Sequence, residues 1–204
     1  TIEVTGLDLD IAIQGEALPN AGGFFQVVDP NTEEVYFTRA GAFEATNQGL
    51  LVTRDQYRYQ LQGINGAVQV SLEDGETLLA RRIEEDGRIN LVVSKTDANG
   101  GTEDVIRNVG QISIVNFQSP QYLRRSGNGF YSNGSPGQDL AGIVDNFVPA
   151  SGSNGKIKQY SLELSNVDLT NQFASMISHQ RSFQAGSRVV TTSDSILQEA
   201  VNLK

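Results

Sequence analysis

The chain has one histidine, His179, held between Ser178 and Gln180. A Ser-His-Asp constellation would have to assemble around the surface of a helical rod there, so we read His179 as a solvated or interhelical imidazole. Asp8 with Asp10, or Glu84 with Glu85 and Asp86, are the acids that could pair for proton transfer or bind Ca2+. They lack the regular spacing of a cation loop, and the second group runs straight into an Asp-Gly turn, which fits a solvated acidic edge. Gly127, Gly129 and Gly134 form neither GxGxxG nor GxxxxGK[ST], and no helix follows to offer its N-terminus to phosphate, so turn formation accounts for them. Arg81-Arg82 and Arg124-Arg125 are isolated basic pairs in an acidic protein and read as salt-bridging or polymer-contact residues. Asn133-Gly134-Ser135 matches a glycosylation sequon, which has meaning only in a eukaryotic source. Cysteine is absent, which removes disulfides, thiolate metal sites and thiol nucleophiles. We therefore assign no catalytic residue, no metal ligand and no cofactor, and expect a protein that is not an enzyme.

Composition narrows the remaining classes. With 204 residues, 38% of them hydrophobic, the chain can bury a core. Twenty-one glycines and no tryptophan favour a turn-rich architecture of many short elements. The formal net charge of -9 argues against partners bound through phosphate, so nucleic acid and anionic lipid are not expected. No apolar run approaches the roughly 20 residues that span a bilayer, and the N-terminus lacks the basic start and apolar segment of a cleavable signal.

From Leu9 to about Leu164, short extended runs alternate with tight-turn signals. Strands are predicted at 10–14, 23–28, 34–39, 57–62, 67–72, 88–94, 110–117 and 156–164, with turns at Asn65-Gly66, Asp74-Gly75, Asp86-Gly87, Asn99-Gly100-Gly101, Asn128-Gly129 and Asn154-Gly155. Alternation along 110–117 predicts one buried and one wet face, with a bulge near Val115; Tyr57, Tyr59 and Leu61 alternate in the same way. Residues 119–153 hold three of the five prolines and read as long loops with one short strand around Ile143 to Val148.

Composition changes at Ser165. Ser165, Asn166 and Asp168 have the [ST]-x-x-[DE] spacing of a capping box, so a helix is expected to begin there. Beyond it Leu169, Met176, Phe183, Val190 and Leu197 recur every seven residues, with Phe173 and Val201 in the interleaved position and Gln180, Ser187 and Asp194 as polar interruptions. An amphipathic helix lying on its own sheet is the plainer account of such a stripe. Some 35 residues at 1.5 Å each make a rod of about 50 Å, longer than a domain of this size is wide, so part of it is expected to project. Gly186 and Thr191-Thr192-Ser193 allow a break near Val190, although the seven-residue phase runs through it. The fold class is mainly β with a long C-terminal α-helix (α+β): an antiparallel, hairpin-rich domain over 1–164 and a coiled-coil-forming helix over 165–204.

LDLDIAIQG, GFFQV, YFTRAGAF with GLLVT, VGQISIVNF, and the closing SNVDLTNQFASMISHQRSF through VNLK resemble the bacterial flagellar axial proteins, the hook and rod subunits. The resemblance runs from about Leu7 to Lys204 with a variable middle; its ending looks most like a short hook subunit, with the distal rod subunit a close second. Glu16–Gly22 stands as an insertion between AIQG and GFF. The family's N-terminal helix, which pairs with the C-terminal one, is not in this sequence, so the resemblance implies a fragment.

What the resemblance implies is structural. Copies would stack helically into a hollow segment of hook or basal body that carries torque and passes later subunits, reached by flagellar export and lying outside the cytoplasm. Partners would be copies of the chain, neighbouring rod, hook and junction proteins, and a hook cap, with no nucleic acid and no membrane insertion. The β domain would lie in the outer layer and the helix in the inner one. The expected assembly interface is Leu169, Phe173, Met176, Ile177, Phe183, Val190, Leu197 and Val201. Two other classes compete: a secreted glycan-binding β domain or glycosidase, which would need an aromatic-lined cleft with paired carboxylates, and a fibre subunit whose helix closes a trimer.

Overall fold

Runs of β-branched and aromatic residues cut every few positions by Gly, Asn or Asp cannot sustain a helix and pair edge to edge instead. In the computed structural model, which describes residues 2–15, 23–73, 75–96, 101–133, 143–150 and 155–203, they do so throughout the first of two units, Thr1–Leu164 and Ser165–Lys204. The strands are β1 (Ile2–Val4), β2 (Ile11–Gln14), β3 (Phe24–Val28), β4 (Val35–Thr38), β5 (Phe43–Ala45), β6 (Leu51–Thr53), β7 (Gln60–Gly63), β8 (Gly66–Ala67), β9 (Glu76–Ile83), β10 (Arg88–Thr96), β11 (Thr102–Gln111), β12 (Ile114–Phe117), β13 (Arg124–Gly127), β14 (Phe130–Ser132), β15 (Ile143–Phe147), β16 (Lys156–Gln159) and β17 (Ser161–Glu163). The second unit is one helix, α1 (Leu169–Asn202). The fold is α+β. The Glu16–Gly22 insertion, the turn residues Asp74, Asn99, Gly100 and Asn154, and Gly134 and Ser135 of the sequon lie outside the described residues.

Every strand pairing is antiparallel. A ten-stranded sheet runs β13-β14-β4-β3-β7-β6-β5, with β12 joined to β3, β15 to β12 and β8 to β7; β11-β10-β9 form a second sheet, and β1-β17 and β2-β16 form two ribbons. The main core lies between these layers. Phe25 and Phe43 meet edge to face at 5.5 Å, surrounded by Ile11, Leu51, Leu61, Ile89, Leu91, Ile112, Ile114 and Ile157. A smaller cluster gathers Phe24, Phe37, Val115 and Phe117. At the entry to β2, the Ile11 N–H donates to the Gly41 carbonyl at 3.0 Å beside an Asp10–Ala42 bridge, so the two backbones lie in direct contact.

Four predicted strands differ in the structure, each for a local reason. The 110–117 run is two strands in two sheets, broken at Ile112–Ser113, and the bulge predicted near Val115 is matched by a register shift between Asn116 and Phe117 in the β12–β15 ladder. Its second half has no wet face: Ile114 to Phe117 are all buried, because Ile114 faces the main core while Val115 and Phe117 face the smaller cluster. Tyr57 to Tyr59 is a turn. The Asp55 carboxylate accepts from the Tyr57 and Arg58 N–H groups at 3.0 and 3.1 Å, Arg58 takes φ 52, and the strand starts only at Gln60. Tyr59 then stacks on Tyr36 and Tyr57 at 5.0 and 5.4 Å. The Tyr36 hydroxyl donates to Glu34 at 2.7 Å; that bond first, and desolvation second, push its pKa up to about 12. The 67–72 run pairs only at its start and through a Leu50–Gln69 bridge. Tyr160, at φ 60, divides 156–164 into β16 and β17.

Among the described residues of the 119–153 segment, 119–133 and 143–150, three strands form: β13, β14 and β15. Asn128 and Gly129 both take positive φ, 48 and 82, the pair of angles that a tight hairpin turn matching strand twist requires. β13 and β14 pair across it, and β14 continues onto β4.

Candidate functional surface

Of the acidic and basic groups that the sequence brings forward, Asp8, Asp10, Arg81, Glu84, Glu85 and Asp86 are engaged in holding the β unit together. Asp10, buried, accepts from the Thr5 hydroxyl at 2.7 Å and from the Arg54 guanidinium at 2.6 Å; the same guanidinium nitrogen donates to the Phe43 carbonyl at 3.0 Å. A charge in that position persists only with a partner. Arg81 pairs with Asp8 at 2.9 Å, Lys156 with Glu85 at 2.8 Å and Arg88 with Asp86 at 3.2 Å. Glu84 accepts from the Asn90 amide at 3.2 Å. Gln159 ties three segments: its oxygen accepts from the Ile83 N–H at 3.0 Å, and its nitrogen donates to the carbonyls of Asp8 and Arg81 at 2.6 and 3.0 Å. Among the described residues no three His, Asp or Glu side chains gather as a metal set would.

The feature that calls for a partner is α1. It starts at Leu169, four residues after Ser165, and its N-cap is Asp168. One Asp168 oxygen accepts from the N–H groups of Thr170 and Asn171 at 2.8 and 3.3 Å, and the Asn171 amide donates to the other at 2.7 Å. This corrects the capping box centred on Ser165, whose hydroxyl instead accepts from the Val167 N–H at 3.2 Å in a turn ahead of the helix. Ser, Asn and Asp all suit a cap; the one standing directly before the first helical residue takes the place. Asp168→Ala is expected to cost about 1 kcal/mol of helix stability, read as lost helical signal in far-UV circular dichroism with the β unit unchanged.

The helix then runs 34 residues without a break. The Thr191, Thr192 and Ser195 hydroxyls donate to the carbonyls of Ser187, Arg188 and Thr191 at 2.6, 2.8 and 2.9 Å. That satisfies these side chains inside the helix and carries it through the segment where a break near Val190 was an alternative. Not one residue of α1 is buried. Leu169, Phe173, Met176, Ile177, Phe183, Val190, Leu197 and Val201 are all exposed, from 51% at Ile177 to 78% at Phe183. Because seven residues fall short of two full turns at 3.6 residues per turn, the line through Leu169, Met176, Phe183, Val190 and Leu197 drifts by about 20° per repeat, as in helices that supercoil around a neighbour.

A second line went unread in the sequence. Val189, Ile196 and Leu203 are also seven apart and exposed, at 65, 62 and 85%. Each of the first two precedes a member of the first line by one residue, which turns it about 100° around the helix. Counting heptads from Val189 as well as from Leu169 would have found it. Val189 and Ile196 widen the apolar surface of the C-terminal half of α1, as Ile177 beside Met176 widens that of the N-terminal half, and a helix in that condition needs covering on more than one side.

Two family models match the chain. The flagellar hook protein FlgE/F/G D1 domain matches residues 12–91, and the flagellar basal body rod FlgEFG protein C-terminal model matches residues 158–203. Flagellar basal-body rod protein FlgG of Bacillus subtilis (strain 168) is 38% identical over 200 residues, which is 98% of this chain and 67% of that protein. The protein of the same description from Borreliella burgdorferi is 29% identical over 204 residues, 100% of this chain and 67% of its own length. The flagellar hook protein FlgE of Borreliella burgdorferi is 39% identical over 105 residues, covering 48% of this chain and 21% of the hook protein. The chain thus spans about two thirds of the length of the rod proteins it matches.

Proposed function

The chain belongs to the family of flagellar hook and basal-body rod axial proteins, and from that premise we propose that it is a rod-type structural subunit that assembles with copies of itself through α1. Rod over hook rests on extent. The likeness to rod proteins covers the whole chain, whereas the hook-protein likeness covers about half of it. The hook reading, which the ending of the sequence favours most, is the alternative, supported by 39% identity over that half.

One observation supports assembly above others: a continuous helix with large apolar residues in heptad spacing and none of them buried. Each such side chain gains about 1.5 to 3 kcal/mol when fully covered, so association with neighbouring helices is the state in which this surface is stable. On this reading the helix makes the inner contacts of a helical polymer in the flagellum, the β unit forms the outer layer, and the neighbours are other axial proteins. The ordered acids and the histidine take no part in chemistry.

The test is assembly. Light scattering and sedimentation of the full chain across a concentration series are expected to show growth into open oligomers. Phe183→Glu with Leu197→Glu is expected to leave a folded monomer over the same range. A wild-type chain that stays monomeric, or one that stops at a closed trimer, would overturn the proposal.

A further inference from the structure

Two strand edges in the β unit carry opposite charge and no partner among the described residues. Among the named strands β11 pairs with β10 alone, with only its last residue, Gln111, also accepting from the Ile64 N–H at 3.0 Å, and β13 pairs with β14 alone. β11 is ten residues long and exposed from Thr102 to Ile106, and all four residues of β13 are exposed. Near the start of β11 stand Glu103 and Asp104; at the start of β13 stand Arg124 and Arg125. None of the four enters an ion pair among the described residues. Across their own ladders, Glu103 faces Lys95 and Asp104 faces Ser94, while Arg124 faces Ser132 and Arg125 faces Tyr131.

We propose that these edges are two halves of one lateral contact, the β13 edge of one copy lying against the β11 edge of the next. The inference rests on the axial-subunit reading and names a contact that this reading leaves open. Unpaired strand edges are templates for another strand, and charge is the usual means of deciding which strand. Adjacent residues on a strand point to opposite faces. Each doublet therefore places one charge on each face of its sheet, and a single register joins both arginines to both acids, one ion pair per face. In a chain of net charge -9, a basic doublet on an exposed edge has an acidic edge of the same molecule as its complement, and repulsion keeps two β11 edges apart. Because the two edges differ, the contact is heterologous: using one edge leaves the other free, so the series stays open. β13 is short and its ladder shifts between Arg125 and Gly127, which limits each contact to a few residues and makes it an accessory to the helix.

The experiment exchanges the charges. One variant carries Arg124→Glu and Arg125→Glu, so that both edges are acidic; a second carries Glu103→Lys and Asp104→Lys, so that both are basic. All four positions are exposed, and circular dichroism with thermal melting serves as the folding control, as does the chain carrying all four changes. By sedimentation, each variant alone is expected to assemble at a concentration about tenfold or more above wild type at low salt, since like charges are then opposed. Mixing the two, or combining all four changes in one chain, is expected to restore assembly, and salt at about 0.5 M to narrow the differences. Wild-type assembly with no loss in either variant, or loss that mixing does not restore, overturns the edge contact and leaves the axial-subunit reading standing. A wild-type chain that never assembles overturns both.

Discussion

Gly41→Ala is expected to remove roughly 3 to 5 kcal/mol from the stability of the β unit, in the range that only a few mechanisms reach. A Cβ at position 41 would lie 1.6 Å from the Ile11 carbonyl oxygen and 2.7 Å from its carbon. The obstacle is backbone, and it cannot move aside. Ile11 is fixed on one side by its N–H bond to the Gly41 carbonyl and on the other by β2–β16 pairing, in which Ile11 faces Gln159. Accommodation therefore requires breaking one of these ladders. Urea unfolding followed by circular dichroism reads the loss as a lowered midpoint, and Gly186→Ala is the control. Nothing lies within 4 Å of a Cβ at Gly186, and in a helix that change is favourable by about 1 kcal/mol. A Gly41→Ala chain as stable as wild type would show that the close approach of the two backbones is wrong.

Phe25→Ala is expected to cost about 3 to 5 kcal/mol by the same measurement. Phe25 is fully buried, and β3, which carries it, joins three strands: β4, β7 and β12. Truncation leaves Phe43 without its edge-to-face partner and opens a void that four converging strands hold apart. Phe183→Ala supplies the opposite case. At 78% exposure it is expected to change the stability of the separated chain by less than about 0.5 kcal/mol while weakening assembly. The two phenylalanines thus separate folding from association, and equal destabilisation by both would contradict the exposed state of α1.

The sequence was most readable where one physical signal dominated. The heptad spacing of α1 stands out because nothing else produces a seven-residue repeat, and β2, β3 and β10 follow from β-branched and aromatic runs bounded by glycine. β9 and the first half of β11 were missed for the opposite reason. ETLLARRI and TEDVIRNV carry too many charges to read as strands, and they become strands because each pairs with β10, whose Ile89, Leu91 and Val93 bury one face of the sheet. β12 misled in another way: alternation suggested a wet face, but a strand covered on both sides owes its burial to the layer beyond it, which local pattern does not encode. On α1 the exposed apolar positions were legible from spacing, while the second line through Val189 was hidden beside the first.

The β1–β17 ribbon has a mechanical consequence. Its three rungs are Val4 with Ser161, Glu3 with Leu162 and Ile2 with Glu163, and the chain leaves for α1 just past Glu163. A pull that separates Leu164 from Ile2 meets the rungs singly and unzips them; a pull along β17 loads all three at once in shear. Arg39 braces the Ile2–Glu163 rung, holding the Glu163 carboxylate at 2.8 Å while donating to the Gly23 carbonyl at 2.9 Å, so unzipping must also detach that bridge. The strand that leads to the helix is therefore stiff in one direction and yields in another, and the resistance of a subunit to twisting depends on which direction the torque takes through residues 161–164.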